Sequence, residues 1–243
     1  MIILTINYAH RGASGNYPEN TMLAFEKAIE MGATGIETDV QMTKDGELVI
    51  LHDEQLNRTT NGNGLLKDYS LKEIKKLDAG SWFSQDYSSC TIPTLKEFLE
   101  LTSKTKLKIN LELKSNIIQY PNIEEKVIDM IYKYNMDNKV ILSGFNHYSM
   151  VKCKEISSNI KTGLLYMSGL YKPETYIKYV VADALHPYFY ALNQDIITGI
   201  QKSGIMINTF TVNDEKYMKF FASAKVDGII TNYPEKLKII LGE

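Results

Sequence analysis

The sequence predicts an α/β fold, a (β/α)8 TIM barrel with a small rim insertion after the second strand region. Two observations lead there. Strand-like apolar runs alternate with helix-like segments from end to end, and 243 residues is close to the roughly 250 that eight strand–helix units occupy. At 44% hydrophobic content the chain can bury a sizeable core, although two small domains would also fit the length. Strands are expected near residues 3–9, 34–40, 47–52, 107–113, 139–144, 161–166, 182–186, 205–210 and 227–231. Helices are expected near 21–31, 94–103, 122–135, 147–156, 173–180, 194–203, 214–222 and 234–241. The run Met1–Ile6 is too short for a secretion signal and lacks a basic leader, so it reads as part of the first buried strand. Asn20 can cap the first helix and Gly32 can end it in a left-handed turn. Asn213 precedes Asp214 and Glu215, acidic residues that suit a helix N-terminus, and Pro234 fits a first helical position. Residues 54–93 break the alternation with polar turns (Asn61-Gly-Asn-Gly64), a short amphipathic stretch from Ser70 to Leu77, the only tryptophan, and Ser/Tyr-rich coil ending at Pro93. That segment has too few apolar residues for a core of its own, so residues 1–243 read as one domain with an insertion at 54–93. Rim insertions commonly shape substrate access.

Composition narrows the function. With 27 basic and 29 acidic side chains and a net charge of −2, no global field draws the chain to nucleic acid, and an anionic substrate has to be captured locally. Lys72, Lys75 and Lys76 lie beside acidic residues and read as a solvated face. Cys90 and Cys153 have no metal-type spacing and point to a reducing compartment. No stretch approaches the roughly 20 apolar residues that span a bilayer, so a soluble, cytoplasmic protein is expected.

Two strand patterns carry charges where burial is costly. In Gly35-Ile-Glu-Thr-Asp39 and Asn110-Leu-Glu-Leu-Lys114 the charged residues recur at i and i+2, which puts Glu37 with Asp39, and Glu112 with Lys114, on one strand face each. An antiparallel strand with one wet face would alternate in the same way. The functional alternative is a divalent cation with an anionic ligand beside it. Glu37, Asp39 and Glu112 offer hard oxygen donors and no soft ones, which suits Mg²⁺ or Ca²⁺ better than zinc.

His10-Arg11-Gly12 follows the first strand, at the barrel end whose loops hold active sites. There an imidazole can move protons, Arg11 can grip a phosphate with a bidentate fork, and Gly12 permits a sharp turn. His52-Asp53 follows Leu48–Leu51 in the same way, so His10 and His52 are expected at strand ends on one face, as general acid and base. Lys114 would balance negative charge at the site or sit in a structural ion pair. Glu19 reads as a metal-site residue or a helix-initiating one, and Asn20 can serve both purposes. Phe210 can pack on the apolar part of a substrate or in the core. His147 is expected to cap a helix, and His186 to be structural.

Taken in order, His10-Arg11-Gly12, Glu19-Asn20-Thr21, Glu37-Thr-Asp39, His52-Asp53, Glu112-Leu-Lys114, Thr209-Phe-Thr-Val-Asn213 and Asp227-Gly-Ile-Ile-Thr-Asn232 closely resemble the glycerophosphodiester phosphodiesterase family. The resemblance runs nearly end to end. It implies a (β/α)8 barrel and a divalent-metal hydrolase that releases an alcohol and glycerol 3-phosphate from substrates such as glycerophosphocholine or glycerophosphoethanolamine. It matches His10 and His52 to the family's acid/base pair, and Glu37, Asp39 and Glu112 to its metal ligands. Arg11 and Lys114 match its phosphate contacts, and Glu19 a further acidic position near the metal. Many members have tryptophan where this chain has Phe210, which leaves head-group preference open. Two other readings remain: a phospholipase-D-like barrel acting on lysophospholipid or sphingomyelin, typically with a disulfide, and a non-catalytic glycerophosphodiester-binding module.

Overall fold

The computed structural model describes residues 5–242. Its strands are β1 (Ile6–His10), β2 (Gly35–Met42), β3 (Leu48–Ile50), β4 (Lys108–Leu113), β5 (Val140–Gly144), β6 (Lys161–Tyr166), β7 (Ala184–Pro187), β8 (Met206–Thr209) and β9 (Gly228–Thr231). Leaving β3 aside, the strands pair in parallel around a ring that β1 closes by bonding to both β2 and β9, giving the eight-stranded barrel. The start of the expected first strand, residues 3 and 4, lies outside the described residues.

β3 corrects one expectation. It pairs antiparallel with the outer end of β2, Val40 opposite Ile50 and Met42 opposite Leu48. Only residues 43–47 separate the two strands, and a parallel neighbour needs a crossover of about a dozen residues or more. The run before His52 is therefore a hairpin arm folded back on β2, whereas the run before His10 is a barrel stave.

The helices are α1 (Met22–Glu30), α2 (Leu71–Ile74), α3 (Leu95–Thr102), α4 (Ile123–Lys133), α5 (His147–Ile156), α6 (Pro173–Val180), α7 (Gln194–Lys202), α8 (Glu215–Ser223) and α9 (Pro234–Leu241). Local chemistry sets their starts. Thr94 and Glu97 form a capping box on α3, and Ser70 and Glu73 form one on α2. Asp214 accepts from the Lys216 N–H ahead of α8, and Pro234 opens α9. Thr21, not Asn20, caps α1, its hydroxyl accepting from the Ala24 N–H at 3.2 Å. Asn20 is left-handed (φ 55°) and its amide turns inward instead. His147 does not cap α5; Nδ1 lies 2.8 Å from the Tyr176 hydroxyl and Nε2 2.9 Å from the Leu165 carbonyl, so the ring ties α5 to α6 and β6.

The helices cover the outer face of the barrel with a continuous apolar layer, in which Phe25 of α1 meets Phe98 of α3 edge-on at 4.8 Å between ring centroids. Burying each such side chain contributes roughly 1.5–3 kcal/mol. Residues 54–93 have more core than expected: Leu56, Leu66, Ile74, Ala79 and Ile92 join Val49 and Leu51 of the β3 arm in a satellite cluster. Borrowing Val49 from β3 and Leu51 just after it gives the segment an anchor against the rim. Among the described residues, no helix is long and apolar enough to cross a membrane.

Candidate active site

Strand register assembles the charged side chains. In β1 and β2, His10 stands opposite Glu37; in β2 and β4, Glu37 stands opposite Asn110 and Asp39 opposite Glu112. The i, i+2 spacing therefore points all of them at one patch near the C-terminal ends of the staves. Glu37, Asp39 and Glu112 are buried, and one carboxylate oxygen from each lies within 4.8 Å of the others. Lys114 Nζ sits 2.9 Å from Glu112 Oε1 and 3.7 Å from Asp39 Oδ1. Arg11 Nη1 donates to Glu19 Oε1 at 2.8 Å, and its Nε lies 3.4 Å from Asp39 Oδ2. The Asn20 amide donates to Asp39 Oδ2 at 2.9 Å and accepts from the Thr38 hydroxyl at 2.8 Å.

The turn that presents Arg11 is constrained. Arg11 itself is left-handed (φ 55°) and Gly12 follows at φ 81°. A Cβ on Gly12 would sit 2.7 Å from the Ala24 backbone, so α1 packs against the turn only because that residue is glycine.

His10 Nδ1 lies 2.6 Å from the Asn232 side-chain carbonyl. That oxygen can only accept, so the Nδ1 proton is held there and the Nε2 lone pair faces Glu37 Oε2 at 3.9 Å. Burial, then the Arg11 charge, lowers His10 to about 3 against the opposing pull of Asn232 and Asp39, which keeps the ring neutral. Burial, reinforced by Asp39 and Glu112, raises Glu37 well above the usual carboxylate range. Burial acts the same way on Asp39, but Arg11 and Lys114 outweigh it and hold this carboxyl well below that range. Glu112 is raised by burial despite Lys114. Asp39 Oδ1 is buried without a hydrogen-bond partner. An orphaned oxygen among three converging carboxylates is a donor set that fits a hard divalent cation.

His52 reaches this patch from the β3 arm. Leu51 N–H bonds the Asp39 carbonyl at 3.3 Å, and the His52 charge acts on both Asp39 and Glu112. Its Nδ1 is 2.6 Å from Asp53 Oδ1. The Gln41 amide nitrogen grips this turn, donating to the carbonyls of Leu51 at 2.8 Å and Asp53 at 2.7 Å, while Tyr120 holds the Gln41 oxygen at 2.8 Å. Glu19 does not join the carboxylate cluster; it bridges Arg11 and Arg58.

A cavity of about 20 Å³ is lined by His10, Glu37, Asn110, Glu112, Leu165, Phe210 and Ile230, which puts Phe210 in the same recess as the acidic groups. Phe210 meets Phe145 and Tyr188 at 6.0 Å each, forming an aromatic wall. A larger groove of about 700 Å³ runs between α5 and α6 but lacks grouped carboxylates. His186 is fully buried inside β7, with Nε2 2.9 Å from Asn208 Nδ2, and is an interior residue.

Sequence reasoning passed over Gln41 and Arg58, and it named Asn232 only as the end of a motif, without a role. Gln41 continues the 37, 39 series at i+2, a signal open to view. Arg58 had another: of the 27 basic side chains, Arg11 and Arg58 are the only arginines.

The sequence profile of the Glycerophosphoryl diester phosphodiesterase family matches residues 10–236. A glycerophosphodiester phosphodiesterase from Caldanaerobacter subterraneus subsp. tengcongensis is 47% identical over 233 residues, covering 96% of each chain. One from Bacillus altitudinis is 42% identical, again over 96% of each chain. Among solved structures, an Oleispira antarctica phosphodiesterase in complex with the product sn-glycerol-3-phosphate superposes with a TM-score of 0.87 at 31% identity, over 97% of this chain and 96% of that one. The end-to-end match and the shared barrel together establish that this chain belongs to the glycerophosphoryl diester phosphodiesterase family.

Proposed function

We propose that the chain hydrolyses glycerophosphodiesters to an alcohol and glycerol 3-phosphate, with a divalent cation, Mg²⁺ or Ca²⁺, held by Glu37, Asp39 and Glu112. The observation that carries this reading is the clustering of three buried carboxylates with Arg11, Lys114 and a neutral His10 in one patch at the barrel mouth. When bound, the cation supplies Lewis-acid stabilisation of the phosphoryl oxygens. Arg11 and Lys114 bind the remaining phosphoryl charge, and Phe210 packs on the apolar part of the substrate.

His10 and His52 form the acid/base pair. With Nδ1 pinned by Asn232, His10 accepts at Nε2 the proton of the glycerol 2-hydroxyl. The freed oxygen bonds to phosphorus while the bond to the leaving alcohol breaks. His52, whose Nδ1 is backed by Asp53, gives its proton to the departing alkoxide. Water then opens the cyclic phosphate with the two histidines in reversed roles, yielding glycerol 3-phosphate. The neighbouring hydroxyl has a large proximity advantage over bulk water.

Residues 1–243 act as one catalytic domain with 54–93 as its rim insertion, on a small-molecule substrate rather than nucleic acid. Cys90 and Cys153 are free thiols, which favours a reducing, cytoplasmic setting, while the proposed reaction itself gives the chain a place in glycerol and lipid metabolism. They also leave the phospholipase-D-like alternative without its disulfide. The test is release of glycerol 3-phosphate from glycerophosphocholine by chelator-treated protein, with Mg²⁺ or Ca²⁺ added back. Restored release supports the reading, and release that ignores the chelator contradicts the metal's part in it. Undiminished turnover of a diester lacking the 2-hydroxyl rules out the cyclic route.

A further inference from the structure

We propose that Arg58 is a positioning residue of the active site: a single guanidinium from the rim insertion locks Glu19 to Asp53 and thereby orients Arg11 and His52. The inference rests on the function proposed above. Arg58 Nη1 and Nη2 donate to the two oxygens of Glu19 at 2.9 and 2.8 Å. Its Nε and Nη2 donate to the two oxygens of Asp53 at 2.6 and 3.0 Å. Each carboxylate then passes the constraint inward, Glu19 Oε1 to Arg11 Nη1 at 2.8 Å and Asp53 Oδ1 to His52 Nδ1 at 2.6 Å. Arg11 follows a barrel stave and His52 follows the β3 arm, so these two side chains share no backbone element. Arg58 is the link.

An isolated surface ion pair contributes little, and Arg58 is 43% exposed. Four features set this one apart. The guanidinium engages two carboxylates through a planar fork, the geometry lysine cannot supply. Both carboxylates are themselves bound to groups of the site. The turn carrying Arg58 is anchored, with Leu56 fully buried and the Thr60 hydroxyl donating to the Leu56 carbonyl at 2.6 Å. Finally, arginine appears in this lysine-rich chain only at positions 11 and 58, and both touch Glu19. The insertion is thus part of the catalytic apparatus and more than a lip around it.

The experiment compares wild type, Arg58→Ala and Arg58→Lys, with thermal melts to verify folding. Loss of an orienting partner of this kind costs about 10–100-fold. Arg58→Ala is expected to lose that much in kcat/KM, Arg58→Lys to remain impaired although its charge is kept, and added ethylguanidinium, but not ethylammonium, to restore part of the alanine variant's rate. Coupling is checked by combining Arg58→Ala with Asp53→Asn, whose losses should not multiply. A second readout needs no turnover: the His52 Nδ1–H resonance, held by Asp53 in wild type, should exchange faster or vanish in Arg58→Ala. Full activity in either variant, with the His52 resonance unchanged, overturns the proposal while wild-type hydrolysis leaves the function standing. If wild type does not hydrolyse glycerophosphodiesters, the function fails instead, and the His52 resonance alone decides on Arg58.

Discussion

Replacing Glu37 by glutamine should make the metal-free protein more stable while destroying the cation site. Carboxylate oxygens of Glu37, Asp39 and Glu112 lie within 4.8 Å of one another, a separation at which each charged pair repels by about 3 kcal/mol at an effective dielectric near 20. Two of those pairs include Glu37. Arg11 offsets part of the repulsion through its charge and through its backbone N–H, which donates to Glu37 Oε2 at 3.2 Å, a bond that glutamine can keep. The net gain for Glu37→Gln is about 1–3 kcal/mol, and each kcal/mol raises Tm by roughly 2–4 °C in a chain of this size. The pH dependence has a definite sign. Glu37 is raised above its ordinary 4.5, so the folded state holds the proton more tightly than the unfolded one. Its contribution is fully present below 4.5 and is lost as pH rises through the folded value. Wild type in EDTA should therefore lose stability above pH 4.5 more steeply than Glu37→Gln. Mg²⁺ or Ca²⁺ at one hundred times its Kd should restore about 2.7 kcal/mol to wild type and far less to the variant. Urea melts from pH 5 to 8, with EDTA or with metal, measure all of this. A variant that melts below wild type in EDTA at pH 8, or metal that stabilises both proteins equally, refutes the reasoning.

His10→Ala and His52→Ala should each lower turnover by roughly 10²–10⁴ with the far-ultraviolet spectrum unchanged; a fully active variant removes that histidine from the chemistry. Burial, then Glu124 and Glu125, pushes the Cys153 thiol up to about 12, so a thiol reagent at pH 8 should find Cys90 in the folded chain and Cys153 only after denaturation. Two fast thiols would contradict that placement. A Cβ on Gly163 would collide with the His186 ring at Nε2, so Gly163→Ala should cost about 1–3 kcal/mol by overpacking. An unchanged Tm would show that the His186 ring is not packed as described.

The barrel was legible because each stave reads as an apolar run and each crossover as a helix, and the predicted spans at 161–166, 147–156, 173–180 and 234–241 coincide with β6, α5, α6 and α9. The acidic cluster was legible for a similar reason: strand period alone puts Glu37, Asp39 and Glu112 on inner faces, and parallel register brings them level. The β3 arm was misjudged as a stave because its apolar run resembles one, although the short gap before it already required an antiparallel return. Asn20 and Thr21 are both able to cap a helix, and only the inward pull of Asp39 on Asn20 decides between them. Arg58 and Asn232 act on partners distant along the chain or presented by turns, and no local period marks such contacts, whereas the strand period that places Gln41 beside Glu37 and Asp39 says nothing of the turn carbonyls it binds.

The proposed function requires the Glu37, Asp39 and Glu112 carboxylates to hold one divalent cation at the barrel mouth. Equilibrium dialysis of chelator-stripped protein against Mg²⁺ or Ca²⁺, followed by metal analysis, measures that binding. One ion per chain should bind to wild type and to His10→Ala, and none to Asp39→Asn at the same free concentration. Wild type that binds no ion, or Asp39→Asn that binds as wild type does, would contradict it.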